Sequence, residues 1–442
     1  MQKAGASLEL AEMLRRGMAL QQAGRFGEAE AVYRQVLRAQ PGQPQALHFL
    51  GLIAKALGRL ADAESLIRQA IAAKSDYAEA WHNLGNTLRQ MSRLEPAVEA
   101  FETAVSLKPA SLESRRGLGE TLIQAERFGE GIACLRRAVE LHPATALTHF
   151  ALANGLQEAG DFAAAVKSYR AAESINPNLA GIHNNLAAAL IKLGDMEAAL
   201  AAADAQLARD PQNPPAVAYK AQALEELGRG AEAAELVDFD RFVFRKHLEP
   251  PPGFASLADF NAALERDLRT HPTLVETVDP KQRAIRGGAA AVALHAAPTP
   301  AIAAMEAAFR QAIDTWAASL PDDPNHPFLC RKPQAYRLNM WGNLLASQGH
   351  QAAHIHNAGW VSGVYYVDIP ESVHGGDSGQ AGWIEFGRPG YGLPSRKPPR
   401  LRAIAPETGT MLLFPSYFWH RTIPFEDKAE RISIAFDLSA AA

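Results

Sequence analysis

The sequence predicts two kinds of domain in one chain. An all-α solenoid of about seven helical hairpins comes first, and a double-stranded β-helix, or jelly roll, with flanking helices follows. Three observations predict this. Small residues and prolines recur every 34 positions through the first half. That register is lost near Asp240. After Pro327 the chain breaks into short runs rich in β-branched and aromatic residues, separated by glycine and proline.

Four registers carry the repeat. One runs Gly24, Gly58, Ser92, Glu126, Gly160, Gly194, Gly228, and falls where a first helix must end and the chain reverse. A second runs Gly17, Gly51, Gly85, Gly119, Ala153, Ala187, Ala221, and a third Ala29, Ala63, Ala97, Gly131, Ala165, Ala199, Ala233. Both place small residues where two helices touch closely. The fourth, Pro41, Ser75, Pro109, Pro143, Pro177, Pro211, closes each unit, because proline cannot continue a helix. In the copy WHNLGNTLRQMSRLEPAVEAFETAVSLKP (81–109), Trp81, Leu84, Gly85, Ala97, Phe101, Ala104 and Pro109 resemble the tetratricopeptide pattern position by position. The resemblance covers about residues 10 to 245 and implies a right-handed solenoid whose concave face holds a peptide or partner protein. Asn83, Asn86, Asn154, Asn184 and Asn185 fall on first helices. A ladder of such amides would hydrogen-bond an extended peptide backbone; solvated polar positions are an equally open reading. His48 and His82 share one register and read as packing or surface residues.

Composition limits the rest. The 442 residues suit two to four domains. A net charge of −4 with 21% charged residues argues against nucleic-acid binding driven by bulk electrostatics. The 48% hydrophobic content supports a sizeable core. Only Cys134 and Cys330 are present, so a reducing compartment is the simpler expectation. The start lacks an apolar signal-peptide core, and no run of eighteen apolar residues occurs. A cytoplasmic protein, not membrane-bound, is expected.

The expected layout is a tail over 1–9, the solenoid over 10–247, helical flanking segments over 248–325, and the jelly-roll core over 326–442. EPPPGF (249–254) reads as a stiff linker. Ser256 opens one helix, and residues 301–320 form a second with an apolar stripe. The runs AYRLNMWGNLL, WVSGVYYVDIP, GWIEFG, LRAIAPETGTMLLFP and ERISIAFDL read as strands.

Two histidines, His354 and His356, precede the strand WVSGVYYV. On an extended segment, side chains at i and i+2 share a face, so both rings reach into one cavity. A third, His420, follows the strand GTMLLFP, and Arg431 lies eleven residues on. These residues resemble the iron- and 2-oxoglutarate-dependent oxygenases, in particular a branch with H-x-H, S-G-V-Y-Y, G-x-x-x-x-F-P followed by histidine, and R-I-S. The matching positions are His354, His356, Ser362 to Tyr366, Gly409 to Pro415, His420, and Arg431 to Ser433. The resemblance is strong over about 330–438 and weak over 250–330.

That resemblance implies Fe(II), 2-oxoglutarate and O₂ as the cofactors and co-substrate. Non-haem iron takes nitrogen and oxygen ligands on one face, and a guanidinium grips the oxoacid's distal carboxylate. Arg431 takes the second role, with Ser433 beside it on the strand and Asn343 and Tyr366 as further contacts. Trp360, Tyr366, Phe414, Trp419 and Phe436 are candidate cavity walls. One departure stands out: His356 occupies the place where the wider superfamily has a carboxylate. Three readings stay open. His354, His356 and His420 form a three-histidine site; or His356 and His420 ligate while His354 supports them; or His356 leads an H-x-A motif ending at Ala358, as in a halogenase. Asp368 and Asp377 are distant carboxylate candidates.

Alternation places Asn339, Trp341 and Asn343 on one strand face and Tyr336 on the other; Asn343 or Tyr336 would meet the oxoacid. Arg421 points away from His420 and makes a poorer anchor. The loop 374–382 is a candidate lid. The expected activity is hydroxylation of a side chain on a protein or peptide held by the repeats. The alternative is a non-catalytic scaffold with a degenerate jelly roll. A glycosyltransferase fits less well, since residues after 250 are too few for two nucleotide-binding lobes.

Overall fold

The computed structural model describes residues 2–276, 285–330, 332–373 and 379–440. They divide into two compact units, Met1–Ile182 and His183–Ala442.

The first unit is built of helical hairpins. They pair α1 (Gln2–Gln22) with α2 (Phe26–Ala39), α3 (Pro44–Ala56) with α4 (Leu60–Ala73), and α5 (Ala78–Gln90) with α6 (Leu94–Leu107). Next come α7 (Leu112–Gln124) with α8 (Phe128–Leu141), and α9 (Ala146–Glu158) with α10 (Phe162–Ile175). Helix α1 begins at Gln2, so the stretch expected as a tail is helical. Every first helix ends on the register read from the sequence. Gly24, Gly58 and Gly160 have φ of 73°, 74° and 83°, and the two departures, Ser92 and Glu126, are held at 58° and 62°. The cause is the cap: Arg93 N donates to Leu88 O at 2.9 Å and Arg127 N to Leu122 O at 2.9 Å, a pattern that requires a left-handed residue just before. Inside the hairpin, a Cβ on Gly85 would stand 2.8 Å from the Phe101 ring, so the two helices approach only because glycine is there.

His48 and His82 are packing residues. His48 is 3% exposed and hydrogen-bonds the Tyr77 hydroxyl and Asn83 Nδ2, each at 2.9 Å. His82 is joined to Asn86 at 2.8 Å and to Ser114 at 3.3 Å.

The second unit opens within α11 (Ile182–Leu193) and continues through α12 (Met196–Leu207), α13 (Pro214–Leu227) and α14 (Gly230–Leu236). These helices complete seven hairpins. They belong with the β domain because they are bonded to it: Tyr417 Oη donates to Leu236 O at 2.7 Å, and Gln222 Nε2 to Pro394 O at 2.9 Å. A short helix α15 (Phe239–Phe242) adds Phe239, whose ring meets Phe418 edge-on at 5.3 Å.

The β domain has a seven-stranded and a three-stranded sheet. In chain order the strands are β1 (Phe244–His247), β2 (Leu274–Glu276), β3 (Ile285–Ala291), β4 (Tyr336–Gln351), β5 (Val361–Asp368), β6 (Ile384–Phe386), β7 (Arg402–Ile404), β8 (Thr410–Pro415), β9 (His420–Thr422) and β10 (Arg431–Ala440). The large sheet runs β1-β8-β5-β10-β4-β3-β2 and the small one β7-β6-β9. The architecture is the expected jelly roll. Three strands correct the expected layout. Residues 244–247, assigned to the solenoid, are the edge strand β1; β2 and β3 lie in the stretch read as helical. The alanine- and glycine-rich IRGGAAA carries no β-branched run. It forms a strand because β4 offers it a partner edge.

Helices α16 (Leu257–Arg269) and α17 (Pro300–Ser319) cover the outer face of the large sheet. Ser256 caps α16 as expected, its hydroxyl accepting from Asp259 N at 3.1 Å. Tyr365 Oη donates to Asn261 Oδ1 at 2.7 Å, and Phe309 packs on Phe436 at 4.3 Å. Side chains of opposite parity therefore face the space between the sheets. Among the described residues, no helix is long and apolar enough to cross a membrane.

Candidate metal centre

Backbone pairing places the three histidines. His354 N donates to His420 O at 3.0 Å and His420 N returns to His354 O at 3.1 Å; His356 N donates to Ser416 O at 3.0 Å. The H-x-H segment is thus extended, and both rings turn to one side. Between them, Ile355 is pinned by Tyr391, whose hydroxyl donates to Ile355 O at 3.2 Å.

Hydrogen bonding fixes what the rings present. His354 Nδ1 faces Ala352 O at 2.7 Å, His420 Nδ1 faces Phe418 O at 2.9 Å, and His356 Nδ1 is bonded to the Asp437 carboxylate. Each of these oxygens only accepts, so each Nδ1 carries the proton. Every Nε2 is then a lone pair. The Nε2 atoms of His354 and His356 are 3.1 Å apart, and one ligand atom from each of the three rings lies within 4.8 Å of the others. Converging lone pairs repel unless a cation lies among them. Two nitrogens bound at right angles to one divalent ion about 2.1 Å away stand about 3 Å apart, which matches the closer pair. Burial keeps the His354 and His420 rings neutral. It pushes His354 down to about 3, with His356 adding to the effect, and holds His420 well below the ordinary range. The donor set fits a metal that accepts imidazole.

The narrow cavity between the sheets is lined by His356, His420 and Arg431 together with Val364, Phe414 and Ala435. Strand register builds a polar row on the sheet face that carries Arg431. Ser433 lies directly opposite Asn343 on one side and Tyr366 on the other, and Arg431 follows two residues along. Asn343 Oδ1, Tyr366 Oη and Arg431 Nε are all buried without a hydrogen-bond partner among the described residues. The Arg431 guanidinium lies over the Tyr366 ring, 5.1 Å from its centroid, and is 2% exposed. Burial raises Tyr366 to about 12 against the opposing pull of Arg431, although no well-aligned hydrogen bond joins the two. A buried cation with orphaned polar neighbours costs free energy as it stands, and a carboxylate can accept from Arg431 Nε and Tyr366 Oη at once, whereas Asn343 Oδ1 needs a donor. The residues present therefore fit a carboxylate ligand such as the distal group of 2-oxoglutarate.

Other expected residues separate. Phe414 lines the cavity, but Phe436 has the opposite parity and packs on α17, and Trp360 donates to Phe328 O at 2.8 Å and stacks on that ring. Trp419 adjoins His420 but packs against Tyr391 at 5.2 Å. Tyr336 bonds Asp314 at 2.7 Å on α17 and stays out of the cavity. Arg421 pairs with Glu385 at 2.6 Å, away from His420 as expected. Asp368 is exposed at the end of β5 and is not in the histidine cluster. Asp377, with most of the expected lid, lies outside the described residues. In the repeats, Asn83 donates to His48 and to Glu79 O, Asn86 bonds His82, and Asn154 accepts from Tyr169 at 2.6 Å. Asn184 donates to Asn213 at 2.9 Å, and Asn185 is also engaged.

Asp437 is the functional residue that sequence reasoning missed. It accepts from His356 and, at 2.7 Å, from Ser362, which is itself bonded to Ser416 at 2.9 Å. The signal was available: Arg431, Ser433, Ala435 and Asp437 alternate along one strand and so share the cavity face. A carboxylate thus stands one layer behind the histidine cluster, where it can orient the His356 ring.

This fold and site define a class: a helical-repeat protein carrying a jelly roll with a cavity lined by histidines and a buried arginine. Comparison with known families agrees. The model described as "Putative 2OG-Fe(II) oxygenase" matches residues 339–437, and tetratricopeptide-repeat models match 14–78, 78–111 and 156–218. The chain therefore carries tetratricopeptide repeats and, over 339–437, a domain that matches the 2OG-Fe(II) oxygenase model. No curated protein matches it. Among solved structures, the type IV pilus biogenesis factor PilW is 21% identical, covering 47% of this chain and 96% of its own, with a TM-score of 0.45. PilF of Pseudomonas aeruginosa is 19% identical over 46% and 93%, with a TM-score of 0.42. YrrB, a repeat protein "with an unusual peptide-binding site", is 20% identical over 42% and 95%, at 0.36.

Proposed function

We propose that the protein is an Fe(II)- and 2-oxoglutarate-dependent oxygenase that hydroxylates a side chain of a protein or peptide partner. The observation that carries this reading is the convergence of three imidazoles, two of which line one cavity with a buried guanidinium that has no ion pair among the described residues. His354, His356 and His420 hold the metal, and Arg431, with Ser433, Asn343 and Tyr366, holds the oxoacid's distal carboxylate. Iron and the oxoacid together supply the oxidising power: one atom of O₂ enters a C–H bond while the oxoacid becomes succinate and CO₂.

The chain's own groups prepare that chemistry. Asp437 keeps the proton on His356 Nδ1, so Nε2 stays a donor to metal. Arg431 fixes one end of the dicarboxylate and leaves the other free to turn toward the histidines. Val364, Phe414 and Ala435 exclude water from the reacting end. The repeats suit a macromolecular partner, and Asn83, Asn86, Asn154 and Asn185 are proposed to contact it. A scaffold without chemistry gains nothing from a buried cation and three facing lone pairs, which disfavours the degenerate reading.

The test is direct. The protein should bind one Fe(II) per chain and convert 2-oxoglutarate to succinate slowly even without partner, and His356→Ala should remove both. Full succinate formation by His356→Ala, or none by the wild type with iron loaded, removes the reading.

A further inference from the structure

A second cavity, with an empty volume of about 630 Å³, lies on the far side of the strand that carries His420. Its walls come from the last repeat hairpin, through Ala218, Ala221, Gln222 and Ala233, and from the segment after β6, through Pro389, Pro398 and Pro399. Trp419 and Phe239 add aromatic surface. All of these residues belong to the second unit.

Two of the lining side chains are incomplete. Trp419 is 6% exposed and its Nε1 is buried without a hydrogen-bond partner among the described residues; Gln222 is 7% exposed and its Oε1 is in the same condition. The orientation of Gln222 is fixed, because its Nε2 already donates to Pro394 O at 2.9 Å and a flipped amide would set oxygen against oxygen. The indole N–H can only donate, and Gln222 Oε1 can only accept. A buried orphan donor and a buried orphan acceptor, carried by two residues that line one largely apolar cavity beside Glu226, Lys397 and Arg400, are costly unless a ligand completes them. The group that does so has one acceptor and one donor on an apolar body. A peptide unit flanked by an aliphatic side chain meets that description, and a carboxylate, a phosphate or a sugar does not.

We propose that this pocket binds a peptide segment of the partner polypeptide, taking one aliphatic side chain and one main-chain amide. Trp419 Nε1 donates to the carbonyl and Gln222 Oε1 accepts from the N–H. Trp419 precedes His420, and Tyr391, which packs on Trp419, also holds Ile355 between His354 and His356. Occupancy therefore braces the strand and segment that carry the three histidines, and a remote part of the partner contributes its binding energy there. That the bound peptide is the oxygenase substrate rests on the function proposed above; that the pocket takes a peptide does not.

The test uses the full chain with ¹⁵N-labelled tryptophan and N-acetyl-L-leucine N-methylamide as probe, without iron or oxoacid. Trp419→Phe assigns the Trp419 indole signal. That signal should move downfield and saturate with a dissociation constant on the order of 1 mM. The ketone 4-methyl-2-pentanone, which keeps the isobutyl group and carbonyl but has no N–H, should bind the wild type about fivefold more weakly or worse. Gln222→Met should erase that difference, and Ala221→Trp should abolish the shift by filling the pocket. An indole signal unmoved by the amide overturns the proposal, as does a ketone that binds equally well. Since neither iron nor turnover is involved, its failure would leave the oxygenase reading standing, and the reverse also holds.

Discussion

His356 and Asp437 are hydrogen bonded across 81 residues of chain, and the other nitrogen of the same imidazole lies 3.1 Å from Nε2 of His354. One carboxylate thereby sets the tautomer of a ring that faces a second ring. Asp437→Asn can leave the wrong nitrogen protonated. Metal affinity should fall about 10- to 100-fold, measured by the visible absorption of bound Co(II), while the melting temperature of the metal-free protein changes little. Unchanged affinity would sink the orienting role.

The three-histidine and two-histidine readings differ at His354. If it ligates, His354→Ala should weaken Co(II) binding at least as much as Asp437→Asn and change the absorption band, because one nitrogen donor is lost. An unchanged spectrum would demote His354 to a supporting residue.

Arg431 is buried with no ion pair among the described residues. Lysine preserves its charge but not the planar fork. Arg431→Lys should raise the KM for 2-oxoglutarate about tenfold or more, with iron binding retained, as read from succinate formation. A KM equal to wild type would mean the carboxylate binds elsewhere.

His48 predicts a pH dependence in the first unit. Burial lowers it from 6.5 to about 4, with Glu79 opposing and His82 reinforcing. As pH falls below 6.5 the unfolded chain takes up this proton first. The stability is therefore fully present above pH 6.5 and lost as pH falls toward 4, with roughly 3 kcal/mol as the upper bound. Urea melts from pH 7 to 4 should show this slope, and His48→Gln should flatten it.

Glycine position decides sign. Gly129 in α8 has nothing within 4 Å of an added Cβ, whereas Gly85 in α5 would drive one to 2.8 Å from Phe101. Gly129→Ala should stabilise by up to about 1 kcal/mol through helix propensity. Gly85→Ala should destabilise by about 1–3 kcal/mol, because overpacking outweighs propensity. Denaturant midpoints of the two variants moving in the same direction would contradict this account.

Much of the fold was legible in the sequence because periodicity survives translation into structure. The left-handed register held even at Ser92 and Glu126, where residue type gave no sign of it. Parity along β4 correctly separated Asn343 from Tyr336. The same reasoning, carried along β10, would have found Asp437 and excluded Phe436. Strands β1 to β3 were not legible, since their short or alanine-rich segments become strands only against a neighbouring edge. The pocket around Trp419 and Gln222 was equally silent, because its walls come from segments about 200 residues apart.

Sequence by itself determined the repeat, the end of each first helix, the H-x-H pair and its shared face. These follow from spacing over a few residues, which backbone geometry converts directly into direction. Tertiary structure alone decided that His420 pairs with His354, that Asp437 reaches His356, and that Ser433 joins Asn343 to Tyr366. Those meetings depend on strand register, where a slip of one residue would turn every one of these side chains to the opposite face.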